Sequence, residues 1–481
     1  MSMRPDVEFQ QRAERIPSLG LGLSVDLYSP NLFELVRALR DQGLAFGYLE
    51  VFKATEAGLW ELKRRWPHIP CALHGEGLWL TQPEFLRQAQ TEIELDAAVA
   101  QLKILNGHWI NHECASKQIA GYSFGTYLPP LFTGLAAEVV AANARYIQDR
   151  LDRDAAPRGG TAPLLILELP PWTYFGVGDV EVPAFFFRIA ERISCGFVLD
   201  IGHLWTIYRY SGAWRTDSLR EYVARFLDGF PLERVVQIHL AGLAWHERIG
   251  EPSDLPLWID AHGAPIPAVL FEMLAQVLAS PRLVNLKGMA LEVDTKEIGA
   301  IVQEFTRFRE RFDGWQPRRK QGGDSDLAVT PSVTYGGHPS GPSDSDRVQL
   351  QADYRWYAET AAGMNEAGAS PFEQGLDRTM LALYQKAYLP HEILHWGGDL
   401  RTMFPETCRL LDQAELSLDR FVSYWFREPR VSNAPYDFFL LKVDRFVRFI
   451  HEVLPWGEDV AAQEAADLRV AYQLACEQVS P

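Results

Sequence analysis

Residues 196–203 read GFVLDIGH, a short apolar run closed by an acid, with a histidine three residues further on. A run of that length between polar residues has the form of a strand buried on both faces. The same form recurs along the first 300 residues: CALHG carries His74, WINHE His112, LLILELP Glu168, FVLDIGH Asp200 and His203, VVQIHL His239, WIDAH Asp260 and His262, and ALEVD Glu292. Strands are predicted at 19–25, 45–52, 71–75, 108–113, 164–168, 196–200, 235–240 and 289–294. Helices with apolar residues at three- and four-residue spacing are predicted at 31–41, 54–65, 90–105, 131–152, 181–194, 216–229, 265–279 and 296–310. Alternating strands and helices build a parallel sheet with right-handed crossovers, and eight such units between Gly20 and Arg311 have the size of a (β/α)8 TIM barrel. The alternative α/β arrangement is an open doubly wound sheet. Its fingerprint is missing, because Gly20-x-Gly22 in LGLGLS lies inside a strand and no third glycine follows in place.

In a barrel of parallel strands the C-terminal ends meet on one face, so side chains far apart in sequence can share one metal site. Three protein ligands suffice for an ordinary catalytic metal, and this chain offers nine. Imidazole and carboxylate without thiolate suit iron, manganese or zinc, and mixed sets with open positions are typical of non-haem iron that handles oxygen. A carboxylate bridging neighbouring metals accounts for the surplus. Some of the acids, Asp260 and Glu292 above all, can instead orient histidine rings from behind.

Other residues carry weaker signals. Glu50 ends the second strand and is either a tenth ligand or a solvated acid. His108 lies near the start of its strand and reads as structural, whereas Trp245 and His246 in HLAGLAWH sit where a loop would touch substrate. His391 and His395 in PHEILHW are four apart on a helix, a metal-binding spacing, but no third ligand is evident.

Composition sets the frame. With 47% apolar and 12% aromatic residues the 481-residue chain is globular, and its length exceeds one ordinary core. Residues 18–312 are expected to form the metal-binding catalytic barrel. Residues 313–346, rich in Gly, Pro, Ser and Asp, read as a flexible linker, and 347–481 as a smaller all-α domain that binds a peptide or partner. A formal charge of -17 argues against nucleic-acid binding, which needs a basic face. There is no signal-peptide pattern and no run near the roughly 18 apolar residues of a membrane span, so a soluble cytoplasmic protein is expected. Cys71, Cys114, Cys195, Cys408 and Cys476 form no CxxC pair and read as small buried hydrophobes.

The order of strand-end His, His, Glu, LD-x-x-H, QIHLAG, ID-x-H and E-V-D resembles the multinuclear non-haem iron-dependent oxidative enzymes, over about residues 18–310. QIHLAG at 237–242 followed by WIDAH at 258–262 is the most specific part. The resemblance implies a xylose-isomerase-like TIM barrel with two or three irons of mixed Fe(II)/Fe(III) state, and dioxygen as co-substrate. Characterised members remodel cysteine, and in some cases other residues, of ribosomally made peptides, for example forming the oxazolone and thioamide groups of methanobactin. Carried over, His74, His112, Glu168, Asp200, His203, His239, Asp260, His262 and Glu292 would ligate iron. Many members have Asn at the position of His203, a departure that marks this chain. Members commonly work with a separate protein that grips the peptide leader; here a fused helical domain would take that place.

Two other readings share these residues. A sugar isomerase or epimerase would use divalent metals without redox chemistry and would need a lysine or second carboxylate to move protons, and Lys287 is the one lysine noted near a strand end. A non-catalytic scaffold would leave nine buried polar groups without a metal to satisfy them.

Overall fold

In the computed structural model of the chain, residues 4–158, 161–245, 255–315, 341–365, 372, 376–430 and 437–478 are described. The predicted eight strands form one closed parallel barrel in simple sequential order. They are β1 (Gly20–Val25), β2 (Tyr48–Phe52), β3 (Cys71–His74), β4 (Trp109–Glu113), β5 (Leu164–Glu168), β6 (Gly196–Asp200), β7 (Val235–Leu240) and β8 (Gly288–Glu292). Their near-continuous burial, with five of five residues buried in β4, β5, β6 and β8, is what a sheet covered by helices requires.

Three kinds of element escaped the sequence reading. Helix α1 (Pro5–Glu14) closes the N-terminal end of the barrel: Phe9, Ala13 and Ile16 join Tyr48, Trp109, Ile166, Val198 and Ala290 in an apolar floor. The helix Ile201–Tyr210 follows β6 directly and is buried at every residue, so it shows no amphipathic stripe. Two antiparallel hairpins, Ser116–Ile119 with Tyr122–Leu128 and Leu243–Trp245 with Trp258–Asp260, rise from the loops after β4 and β7. WID is therefore an arm over the barrel mouth and not a barrel strand.

Gly20-x-Gly22 has a packing explanation. A Cβ on Gly22 would lie 2.4 Å from the Tyr48 ring, which fills the barrel floor beside it. Above that floor runs a hydrogen-bonded belt. Trp109 Nε1 donates to Glu50 (3.0 Å) and Gln237 (2.9 Å), Gln237 donates to the Tyr48 hydroxyl (3.1 Å), and Ser24 donates to Glu50 (3.1 Å).

The region after residue 341 is helical among the described residues, beginning at Asp344 rather than 347; residues 316–340 of the expected linker lie outside them. Its apolar side chains belong to the same continuous core as the barrel's helices. Tyr354 and Tyr357 hydroxyls pair with Leu131 N and Pro129 O, and Trp425 Nε1 donates to Ser123 O (2.7 Å). The contacts fall on the loops and hairpin after β4, so the helices sit against the C-terminal face of the barrel. Gly125, at φ +76°, allows a close approach, since a Cβ there would meet the Phe438 ring at 2.9 Å.

Candidate metal centre

Strand geometry brings Glu168, Asp200, His239 and Glu292 together from β5, β6, β7 and β8, with ligand atoms within 4.8 Å of one another. Each sits at the last or next-to-last position of its strand. A register irregularity between Phe197 and Val198 shifts the pairing of β6 with β7. Val236 thus joins the floor cluster while Gln237 and His239 still reach the belt and the cluster above it.

Around these four, the histidines are arranged alike. His74 Nδ1 is 3.2 Å from Gly75 O, His203 Nδ1 is 2.6 Å from Leu169 O, and His262 Nδ1 bonds the carboxylate of Asp294. Each bond places the proton on Nδ1 and leaves Nε2 as the donor atom, the usual support of a metal-bound histidine. Those Nε2 atoms stand close to carboxylates: His74 at 3.5 Å from Glu168, His203 at 3.5 Å from Asp260, His262 at 3.2 Å from Asp260 and 3.4 Å from Glu292. His239 faces Glu168 (3.0 Å) and Glu292 (3.2 Å) with Nδ1 and Glu50 (2.8 Å) with Nε2.

Asp200 divides its oxygens. Oδ1 accepts the His203 backbone N–H at 2.6 Å, capping the helix that begins at Ile201, while Oδ2 is buried without a hydrogen-bond partner. His203 Nε2, Asp260 Oδ1 and Glu292 Oε2 are likewise buried without such a partner, whereas His239 Nε2 has Glu50 at 2.8 Å. Unpaired buried donors and acceptors are costly, and four of them in one pocket of imidazoles and carboxylates fit a bound cation.

The electrostatics agree. Burial pulls the pKa of His74 down, but Glu168, Glu50 and Glu292 outweigh it and carry it up to about 9. His203, His239 and His262 are held well above their ordinary value by the same contest. Burial disfavours the charged forms of Glu168 and Asp260, yet the surrounding imidazoles hold both low. Asp200 is pushed up, first by burial and then by neighbouring carboxylates. Without metal the imidazoles must carry protons to balance the acids, and a cation would replace those protons.

His112 is the predicted donor that the structure does not bring to the cluster. Along β4 the alternation of faces directs Asn111 inward, where its Nδ2 donates to Glu168 at 2.5 Å. His112 lies on the opposite face, with Nδ1 at 2.9 Å from Glu113 O and Nε2 accepting the Leu78 N–H at 3.1 Å, and burial lowers its pKa to about 4. Glu50 is fully buried in the belt and touches His239, so it is no solvated acid. Asn111 and Asp294 were missed, although period two from Glu292 would have marked Asp294.

Lys287 lies before β8, at the floor end, with its backbone carbonyl bonded to Leu19 N. Two lysines not singled out in the sequence stand at the mouth instead: Lys53, paired with Glu94 at 2.5 Å, and Lys117, paired with Glu76 at 2.6 Å. His246 lies outside the described residues, and Trp245 is half-exposed at the end of its hairpin strand. His391 and His395 pack ring to ring at 4.6 Å, with Nδ1 of each turned to an acid, Glu392 and Asp399. No helix among the described residues is long and apolar enough to cross a membrane.

Fold and site together define a (β/α)8 barrel whose mouth holds a buried histidine–carboxylate cluster able to take metal. A family profile described as "RiPP precursor modification enzyme MbnB/TglH/ChrH" matches residues 33–311, and the chain belongs to that family of peptide-modifying enzymes. A UPF0276 protein of Caulobacter vibrioides is 26% identical over 274 residues, covering 55% of this chain and 84% of its own length. Another UPF0276 protein, from Anaeromyxobacter sp., is 24% identical over 245 residues, covering 50% and 75%. Endonuclease IV from Thermus thermophilus is 15% identical with a TM-score of 0.39, over 62% of this chain and 100% of that one, a likeness too small to bear on function.

Proposed function

We propose that this chain oxidatively modifies a ribosomally made peptide at cysteine, using two or three irons and dioxygen. The observation that carries the reading is the convergence of three Nε2 atoms, each with its Nδ1 pinned, on carboxylates that include unpaired buried oxygens, within a chain of the peptide-modifying family. The proposed donors are His74, Glu168, Asp200, His203, His239, Asp260, His262 and Glu292. His112 stands apart from these eight, on the other face of β4, with its Nε2 accepting the Leu78 N–H. Bound iron would supply thiolate binding and electron transfer to dioxygen.

The protein's own part is positional. Glu168 and Glu292 each approach two or more histidines, which suits them to bridge neighbouring ions. Glu50 holds His239 from the belt side, and Asp294 holds His262 from the solvent side. The Asp260 and His262 side chains keep 19% and 18% exposure, against 1–6% for His74, Glu168 and His203, so the peptide enters past the hairpin arm.

The helices after residue 341 are proposed to grip the peptide in cis. Their packing against the loops at the mouth supports this, and because they share the barrel's core, deletion would uncover apolar surface on the barrel. Half-exposed Trp396, whose ring lies 5.8 Å from Lys117 Nζ, is the better probe of peptide binding. In the isomerase alternative Lys53 and Lys117 would have to leave Glu94 and Glu76 before either could move a proton.

Metal quantitation and Mössbauer spectroscopy of iron-loaded protein, followed by mass spectrometry of candidate peptides, test the reading. Two or more irons per chain and an oxidised peptide are expected. A single zinc or manganese, or iron loading without dioxygen consumption, would refute it.

A further inference from the structure

Tyr48, Glu50 and Phe52 alternate along β2 onto the barrel interior, at the floor, the belt and the level of the metal donors in turn. At that last level the neighbouring strand presents His74, in register with Phe52. β2 thus contributes an aromatic ring where its neighbour contributes a ligand.

Phe52 is not there to fill a core. It is only partly buried and belongs to neither of the hydrophobic clusters. Its ring lies against two imidazoles instead: His74, with centroids 4.6 Å apart and planes at 60°, and His262, at 6.3 Å and 17°. Those histidines come from opposite ends of the cluster, His74 turning its Nε2 to Glu168, and His262 to Asp260 and Glu292. One edge-tilted and one stacked contact are both favoured aromatic geometries. Each imidazole is already held at Nδ1 by a hydrogen bond, which fixes a point but leaves the ring free to tilt about it; an aromatic neighbour restrains that tilt and keeps water off one face.

We propose that Phe52 is a positioning residue of the metal centre, a wedge that sets the ring planes of His74 and His262 together and shields both from solvent. The inference rests on the metal-centre reading above. It predicts that replacing the ring changes the ligand field without removing a ligand.

The test uses the full chain, as wild type, Phe52→Leu and Phe52→Ala, loaded anaerobically with Co(II) as a spectroscopic probe. Phe52→Leu is expected to keep the wild-type cobalt stoichiometry and a melting temperature within a few degrees. Its visible d–d bands should shift, and release of cobalt to a chelator should be about tenfold faster, the usual effect of losing a group that supports a ligand. Phe52→Ala should exaggerate both changes. Wild-type bands and release rates in Phe52→Leu would make Phe52 a packing residue and overturn the inference, whatever the fate of the alanine variant. A wild-type chain that takes up no cobalt would instead refute the metal-centre reading, and this inference with it.

Discussion

Glu168→Gln exchanges one buried carboxylate oxygen for an amide and leaves the side chain's shape unchanged. Oε1 lies 3.0 Å from His239 Nδ1 and 3.8 Å from His203 Nδ1, and Oε2 lies 3.5 Å from His74 Nε2. At an effective dielectric near 20, unit charges 3–4 Å apart attract by about 4–6 kcal/mol before desolvation is counted. Removing one side of a buried ion pair costs ~3–5 kcal/mol net, because the partner is left uncompensated. Metal-free Glu168→Gln should therefore lose about 3–5 kcal/mol, toward the lower end because the imidazoles can escape by releasing protons. Urea denaturation followed by tryptophan fluorescence reads that loss. The iron-loaded variant should also hold at least one metal ion fewer per chain by elemental analysis, since the shared donor is gone. An unchanged urea midpoint together with unchanged metal content would refute the placement of Glu168 at the centre of the cluster.

Three further outcomes follow from the packing. Tyr354→Phe strands the buried Leu131 N–H that now donates to the tyrosine hydroxyl at 3.2 Å, and should lower stability by about 1–3 kcal/mol in a single cooperative transition; separate unfolding of barrel and helices would contradict the shared core. Gly22→Ala drives a methyl into the Tyr48 ring, and a loss of about 1–3 kcal/mol by denaturant titration is expected, with no loss meaning that the floor is looser than it looks. Lys442 is fully buried, donating to the carbonyls of Trp396 and Gly398, and burial draws its pKa down to about 7 against the pull of Glu392 and Asp399. Its folded value lies below the unfolded one, so above pH 7 the unfolded chain holds a proton that the folded chain has lost, and stability should rise with pH until about 10. Lys442→Met should lack that rise across a pH series of unfolding free energies, and parallel curves for the two proteins would refute it.

The barrel was legible because each strand is a short apolar run closed by a polar residue, and eight of these alternate with amphipathic segments. The bounds moved little: β5, β6 and β7 occupy the residues read for them. The elements that escaped lacked such a period. The helix Ile201–Tyr210 is buried all round, polar His203, Thr206 and Arg209 included, and α1 has only Phe9 and Ala13 buried. Most of the site was also legible, as His74, Glu168, Asp200, His203, His239, Asp260, His262 and Glu292 do converge. Glu50 remained ambiguous, since a lone acid after an apolar run looks the same whether it meets water or His239.

What the sequence by itself determined is the list of strands and the kind of atom each offers at its end, because hydrophobic period and side-chain chemistry are local. Which face of a strand a residue occupies is not local, and the tertiary structure decided it. Asn111 rather than His112 reaches Glu168 because β4 is set one residue away from the register that would turn His112 inward. His239 reaches the cluster across an irregularity in the pairing of β6 and β7. Asp260 and His262 arrive on a hairpin arm, and Phe52 stands between His74 and His262 only because the barrel closes. A one-residue change in register reverses every side chain of a strand while leaving its apolar pattern intact, which is why the strand-end side chains could be named from the chain but their geometry could not.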